Sequence, residues 1–453
     1  MNFFDELVIP PSENHVLLLQ YMLIISLMLF IPYIGMMLGA TFTSTYFNKK
    51  GKKEGNNLYA RFAKDVIEKL TITPSAELAL GTIPVLSAFF AYAQLMYMAE
   101  TITMSILALS AVIFIISFVF IYKYRNTFKI ESIFQTYRKF INPDSINPND
   151  ENVQEIQKFE ENVISTNSSS GTIGKYLLLT ASYLFAGTTA LASSPNKWEH
   201  VGNILQVIFS WQTIFNFLAL ASLAGIITGA AIMFYFFRWQ GGLKNMDDEY
   251  AGFVKKFAGN LTLASGVSFP LMLLLSYVYL PSAAQSPSVF FYMVTTLIIT
   301  LILCNLVYSM VKNSDTQSAS IVFALVFVLV LFNVIKDQAA LSNAIYLNTL
   351  EITKKAEELE QEAKTKTMQS AGIDPLQIFN SKCIACHKFD QKLIGPPYEQ
   401  TVPKYNGDVQ KLAAYIFNPQ KIDPNFPPMP NQGLKKKEAT AMAQWLISKV
   451  GKK

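Results

Sequence analysis

Apolar positions along this chain gather into long runs instead of recurring at the short periods of water-facing strands and helices. Eight runs stand out, at about 16–40, 76–99, 103–122, 174–193, 213–237, 261–281, 289–311 and 318–336. Each approaches or exceeds the roughly 20 residues with which a helix crosses about 30 Å of hydrocarbon. The pattern predicts an all-α polytopic bundle over residues 1–336, with a very short link around Glu100 making a hairpin of the second and third spans. Pro32, Pro84 and Pro270 fall inside runs and predict kinks, which packed neighbouring helices tolerate. After residue 336 the pattern changes abruptly. Residues 337–370 read as a charged linker helix whose Lys354, Lys355, Glu357, Glu358 and Glu360 give it i,i+4 support, and 371–453 as a small water-exposed helical domain.

Composition agrees with a lipid environment. Of 453 residues 51% are hydrophobic and only 15% charged, against about 25% charged in ordinary soluble chains. Disordered, nucleic-acid-binding and disulfide-rich secreted classes are excluded. Basic residues gather in alternate loops: seven between 41 and 75, seven between 122 and 175, four between 238 and 260, and Lys312. The opposite set of loops holds Lys197 alone. By the positive-inside rule the basic loops are cytoplasmic, so eight spans put both termini outside, in the periplasm if the membrane is a bacterial inner one. The segment Met1–Asn14 lacks a positive leader, and no cleaved signal peptide is expected. Glu77 and Glu100 flank the second span and Lys336–Asp337 close the eighth; with no carboxylate near a midplane, a proton pump or charge-coupled transporter is disfavoured.

The strongest chemical signal lies in the tail. Cys383-Ile384-Ala385-Cys386-His387 is the C-x-x-C-H motif of covalent c-type haem attachment. Two thiols a helical turn apart can add to the two vinyl groups of a porphyrin, and the adjoining His387 becomes an axial ligand. Asp374-Pro375 supplies a helix cap and first-turn proline ahead of Phe379. Forty-two residues beyond His387, Pro428-Met429-Pro430 forms a stiffened loop presenting a thioether, closed by Gly433, and Lys435–Lys449 reads as a terminal helix carrying Met442, Trp445 and Leu446. Met429 is the candidate sixth ligand. The tail also carries the positive charge: twelve lysines against six acidic residues from Ala371 to Lys453. Lys382, Lys388, Lys392 and Lys435-Lys436-Lys437 flank the motif segments, where they would steer an acidic redox partner or serve solubility.

On these residues, with Ile394-Gly395-Pro396 and Trp445, the segment 373–453 resembles a class I cytochrome c of the small bacterial monohaem kind. The resemblance implies three to five helices around one haem c, with His387 and Met429 axial. It also implies that the Pro396 carbonyl accepts from His387 Nδ1, that Phe379 packs on the terminal helix, and that Pro396 and Trp445 belong to the cofactor site. Such support orients the imidazole, and His/Met ligation raises the potential and leaves no open iron position, so electron transfer is expected and catalysis at the haem is not. Covalent haem attachment outside the cytoplasm agrees with the topology from loop charge.

The membrane part is similar, over Phe30–Gly35, Ala192–Trp198 and Leu223–Ala230, to the large subunit of cytochrome bd-type quinol oxidases. It departs from that pattern where haem-ligating histidines would be sought, at Leu27 and Leu220, and has no counterpart of the quinol-binding loop. The histidines left over, His15 and His200, both belong to the outer side and would be the ligands of any haem b. Cys304 reads as a small apolar core residue. Two readings follow. One is a membrane-held monohaem cytochrome c serving as a subunit of a larger respiratory complex. The other is an oxidoreductase with a quinol or oxygen site among the spans and haem c as its electron port.

Overall fold

In lipid a backbone amide has no water to bond, so the apolar runs fold as helices that satisfy their own N–H and C=O groups. The computed structural model describes residues 11–96, 101–140, 150–198, 203–243, 246–370 and 373–450, and no strand occurs among them. The chain divides into two compact units, Met1–Thr353 and Lys354–Lys453.

The first unit is built on α1 (Glu13–Glu54), α2 (Asn57–Leu70), α3 (Pro74–Leu95), α4 (Thr101–Phe140), α5 (Glu151–Ala192), α6 (Trp211–Phe237), α7 (Asp248–Val278), α8 (Pro287–Lys312) and α9 (Ala319–Ala344). Helix boundaries follow local chemistry. Gly55, at φ 65°, ends α1, and the Asn56 side chain then caps α2 by accepting from the backbone N–H of Leu58. Pro32 is accommodated inside α1 and Pro270 inside α7. The hairpin link expected near Glu100 falls at 97–100, outside the described residues.

Seven of these helices are long and apolar enough to cross a membrane: α1, α3, α4 and α6 through α9. The fourth expected span, 174–193, is not among them. Its residues form the C-terminal half of α5, where glycine, serine, threonine and Lys175 lower the mean hydropathy and much of the surface is buried against other helices. Gly174, Ser182, Gly187 and Thr188 are buried there beside Leu178, Ala181 and Phe185, and the Phe185 ring meets Phe30 of α1 at 5.6 Å and Phe114 of α4 at 6.2 Å. Small and hydroxylated residues let membrane helices approach closely. The same principle operates at Gly39 of α1, where any Cβ would run into Thr228 of α6, whose hydroxyl donates to the Gly35 carbonyl at 3.1 Å.

Several buried polar groups inside this unit pair across helices. Asn48 donates to Asn167 at 2.7 Å, Asn167 donates to Thr127 at 2.8 Å, and Ser44 donates to the Ala63 carbonyl at 2.7 Å. Helices α4 and α5 have 40 and 42 residues, about 60 Å each at 1.5 Å per residue, twice the hydrocarbon thickness. Their polar halves are tied by Arg138 and Glu160 at 2.6 Å. One boundary expectation is corrected: Lys336 and Asp337 do not close the last span, because α9 continues two further turns to Ala344 and keeps Lys336 buried.

A further helix, α10 (Tyr346–Ser370), contains the charged stretch read from the sequence. The second unit continues with α11 (Pro375–Ile378), which runs into a π-helical turn over Phe379–Cys383, then α12 (Tyr398–Thr401), α13 (Val409–Phe417) and α14 (Lys436–Val450). Asp374 caps α11 by accepting from Leu376 N–H at 2.9 Å, and Glu438 caps α14 by accepting from Lys435 N–H at 2.7 Å. Phe379, Tyr398, Leu412, Ile416, Met442 and Leu446 form a core separate from that of the first unit.

Candidate functional site

The π turn delivers the motif cysteines. An i→i−5 bond from Ile384 N–H to the Phe379 carbonyl, 2.9 Å, replaces an α-helical bond, and His387 N–H then bonds the Cys383 carbonyl at 3.0 Å. Chain 388–399 folds back over the motif: Gly395 N–H donates to the Cys386 carbonyl at 2.8 Å and Tyr398 N–H to the Lys388 carbonyl at 3.1 Å. This return places the Pro396 carbonyl 2.9 Å from His387 Nδ1. Nδ1 is thus occupied as a donor, and Nε2 is the nitrogen left to bind a metal. Gly395 is required by proximity, since a Cβ there would overlap the His387 ring.

Cys383, Cys386, His387, Pro396 and Met429 all line one cavity of about 170 Å³. Its walls are mostly apolar, with Ile394, Leu412, Ile416, Met442 and Leu446 among them, while Lys404, Lys421, Tyr405 and Tyr415 bring polar ends. Two thiols, one imidazole and one thioether against apolar walls suit a porphyrin bound covalently through its edge and axially through nitrogen and sulfur. Among the described residues no group of three His, Cys, Asp or Glu side chains could hold a bare ion, so the C-x-x-C pair is not completed to a zinc site.

Trp445 lies elsewhere. It was expected in the cofactor site, but the cavity-lining residues of α14 are Met442 and Leu446, one turn apart; the Trp445 ring packs on Phe379 at 5.2 Å and Phe389 at 5.9 Å. Its position turns it toward the core behind the motif, which also gives Phe379 its contact with the terminal helix. Sequence reasoning passed over Tyr398. Its ring stacks on His387 with centroids 5.0 Å apart. Burial pushes the Cys383 thiol above its ordinary value, and burial likewise raises Tyr398. Its place two residues after Pro396, on the return loop, was the available signal.

The remaining candidates do not assemble. His15 is exposed in the first turn of α1, and His200 lies outside the described residues, so a haem b between them gains no support. A second cavity, of about 110 Å³, sits inside the membrane unit, and Leu27 and Leu220 both line it. No histidine or methionine does. Its polar lining includes Gln212, Asn216, Asn333, Lys336 and Asp337, with Lys336 Nζ 2.9 Å from Asp337 and Asn333 donating to Asp337 at 3.3 Å.

Comparison with known proteins identifies one segment of the chain. Over 79 residues it is 34% identical to cytochrome c-551 of Pseudomonas aeruginosa, covering 17% of this chain and 76% of that protein. Over 76 residues it is 33% identical to cytochrome c-551 of Pseudomonas denitrificans and 30% identical to that of Azotobacter vinelandii, covering 16% of this chain and 93% of each relative. No family model matches the chain, and no solved structure matches it significantly. The likeness of the membrane part to bd-type oxidase subunits is not borne out by these matches.

Proposed function

We propose, for a chain that belongs to the cytochrome c-551 family through a segment of about one sixth of its length, a membrane-held carrier of single electrons. We read the matched segment as residues 371–453, with 1–336 as its membrane anchor and 337–370 as the linker. Cys383 and Cys386 would carry the thioether bonds of one haem c, and His387 and Met429 its axial ligands. When bound, that group supplies an iron that takes up and releases one electron. Pro396 holds the imidazole in the orientation and tautomer a ligand needs. With His387 and Met429 both committed to holding the group, the site would transfer electrons and would not bind substrate. One observation carries this reading: attachment cysteines, an imidazole oriented from behind and a proline-flanked thioether share a single apolar cavity.

Counting α5 as a crossing, for which its buried apolar half speaks, gives eight spans and both termini on one side. Loop charge supports reading that side as the outer one, which is the periplasm if the membrane is a bacterial inner one. There the lysine-rich unit would meet an acidic redox protein, as a subunit of a respiratory complex. A reduced-minus-oxidised pyridine haemochrome spectrum of the purified chain tests the core of this. One haem c and no haem b is expected; absence of covalent haem would sink it, and one or more haem b per chain would overturn the reading of the spans as a scaffold.

The second cavity favours an alternative, a quinol oxidoreductase with haem c as electron port. Asn216 makes no hydrogen bond among the described residues, and Lys336 and Asp337 offer a donor and an acceptor beside apolar walls. A short-chain quinol that reduces the haem in the wild type but not in Asn216→Leu would support it. Equal reduction in both would remove it.

A further inference from the structure

The loop that presents Met429 is poor in means of holding itself. Pro424, Pro427, Pro428 and Pro430 have no amide hydrogen, so four of the seven residues from 424 to 430 cannot donate from the backbone. The hydrogen bonds it does make are local. Phe426 N–H reaches the Asp423 carbonyl at 3.3 Å, the Gln432 side-chain amide donates to the Pro430 carbonyl at 3.1 Å, and Gly433 N–H donates to the Asn431 side chain at 2.8 Å. Among the described residues one hydrogen bond ties this loop to another element: Lys382 Nζ donates to the Gln432 carbonyl at 2.9 Å. Lys382 sits in the π turn immediately before Cys383, and Gln432 lies three residues after Met429. This bond therefore spans from the backbone that carries the attachment cysteines to the backbone that carries the sixth ligand. The other tie is softer, Lys392 Nζ standing 4.7 Å from the centre of the Phe426 ring.

We infer that Lys382 is a positioning residue, a latch that holds the Met429 loop closed against the haem-attachment turn. The inference rests on the His387/Met429 reading above. Sequence reasoning counted Lys382 among the charges that steer a partner; the geometry gives its ammonium a mechanical task. A proline-stiffened loop can swing as a unit about its ends, so a single charge-assisted bond near one end governs how often the thioether departs. Lys388, also placed beside the motif, has no such side-chain bond among the described residues and serves as the control for charge alone.

The test uses the full-length, haem-loaded chain. Cyanide binds ferric iron only when the methionine sulfur leaves, so its binding rate reports loop opening, and the near-infrared sulfur-to-iron charge-transfer band reports the closed state. Lys382→Met should accelerate cyanide binding roughly three- to ten-fold, the effect of losing one exposed charge-assisted hydrogen bond. Lys382→Arg, which keeps a donor, should stay near wild type, and so should Lys388→Met. A Lys382→Met rate within twofold of wild type, or equal acceleration in Lys388→Met, overturns the latch. If Lys382→Met fails to accumulate with haem, Lys382→Gln is put through the same comparison under the same criteria. Absence of the sulfur–iron band in the wild type would instead overturn the Met429 assignment on which the inference stands.

Discussion

Replacing Gly395 with alanine should be the most damaging single-methyl addition in the second unit. An ideal Cβ at this buried position would lie 2.7 Å from His387 Nδ1 and 2.8 Å from Nε2, and closer still to Cε1. Ordinary carbon contacts begin near 3.5 Å, so ring or loop must yield by about 1 Å. Neither can do so freely. The imidazole is held by the Pro396 carbonyl at 2.9 Å and Gly395 by its own N–H to the Cys386 carbonyl at 2.8 Å. Overpacking of this kind costs about 1–3 kcal/mol, and a broken Nδ1–carbonyl bond adds about 1 kcal/mol. For a unit of this size the combined loss lowers the thermal midpoint by roughly 10–20 °C. The comparison variant is Gly407→Ala. Gly407 has φ 75° and an added methyl would meet nothing within 4 Å, so its cost is backbone strain alone, about 1 kcal/mol. Thermal loss of the haem absorption, with the reduction potential measured alongside, separates the two. Gly395→Ala should lower both midpoint and potential, and Gly407→Ala only the midpoint, slightly. If Gly395→Ala is no less stable than Gly407→Ala and keeps the wild-type potential, the packing of this loop on His387 is not what orients the ligand.

Met429→Leu should lower the reduction potential and abolish the sulfur–iron band; a retained band would assign the sixth ligand elsewhere. Phe379→Ala, which empties the space between the motif turn and Trp445, should cost about 3–5 kcal/mol, read as an earlier thermal loss of haem absorption, and Trp445→Phe much less. Electron exchange with an acidic redox protein should slow as salt rises, whereas a rate independent of ionic strength would leave the lysines only a role in solubility. In α2, burial pushes the Asp65 carboxyl above the usual range, opposed by the hydrogen bond from Tyr250 at 2.6 Å and by Arg61. A carboxyl raised in the folded state binds its proton more tightly there. Its contribution to stability is therefore present at low pH and lost as pH rises through the folded value. Asp65→Asn should flatten the thermal midpoint across mildly acidic pH, and an unchanged slope would refute this.

What could be read in advance depended on whether the constraint was local. Covalent haem attachment demands two cysteines and a histidine within five residues, and a proline-flanked methionine announces itself in three, so the cavity's chemical ends were legible. The bonds that join them cross long stretches of chain: Lys382 reaches a carbonyl fifty residues away, and the face that Trp445 presents depends on where Phe379 and Phe389 pack. No short pattern encodes such contacts. The membrane unit has the converse problem. Mean hydropathy registers aliphatic side chains, and it passes over a helix whose protein-facing positions are glycine, serine and threonine, whereas α1, also largely buried but aliphatic, is detected. The buried glycine and hydroxyl residues of α5 lower its hydropathy for the same reason that they let it approach α1 and α4 closely. Run length also misplaced Lys336, because an apolar run ends at the first charged residue while the helix does not. Two turns of α9 beyond that point put the ammonium inside the bundle, next to Asp337 and facing the same cavity as Leu27 and Leu220. A buried cation persists at such a site only when it is paired, and Asp337 supplies the pair. The ionisable group that closes the last span in the sequence reading therefore lines the same cavity as Asn216, and substitution of Asn216 is the experiment that separates a scaffold from an oxidoreductase.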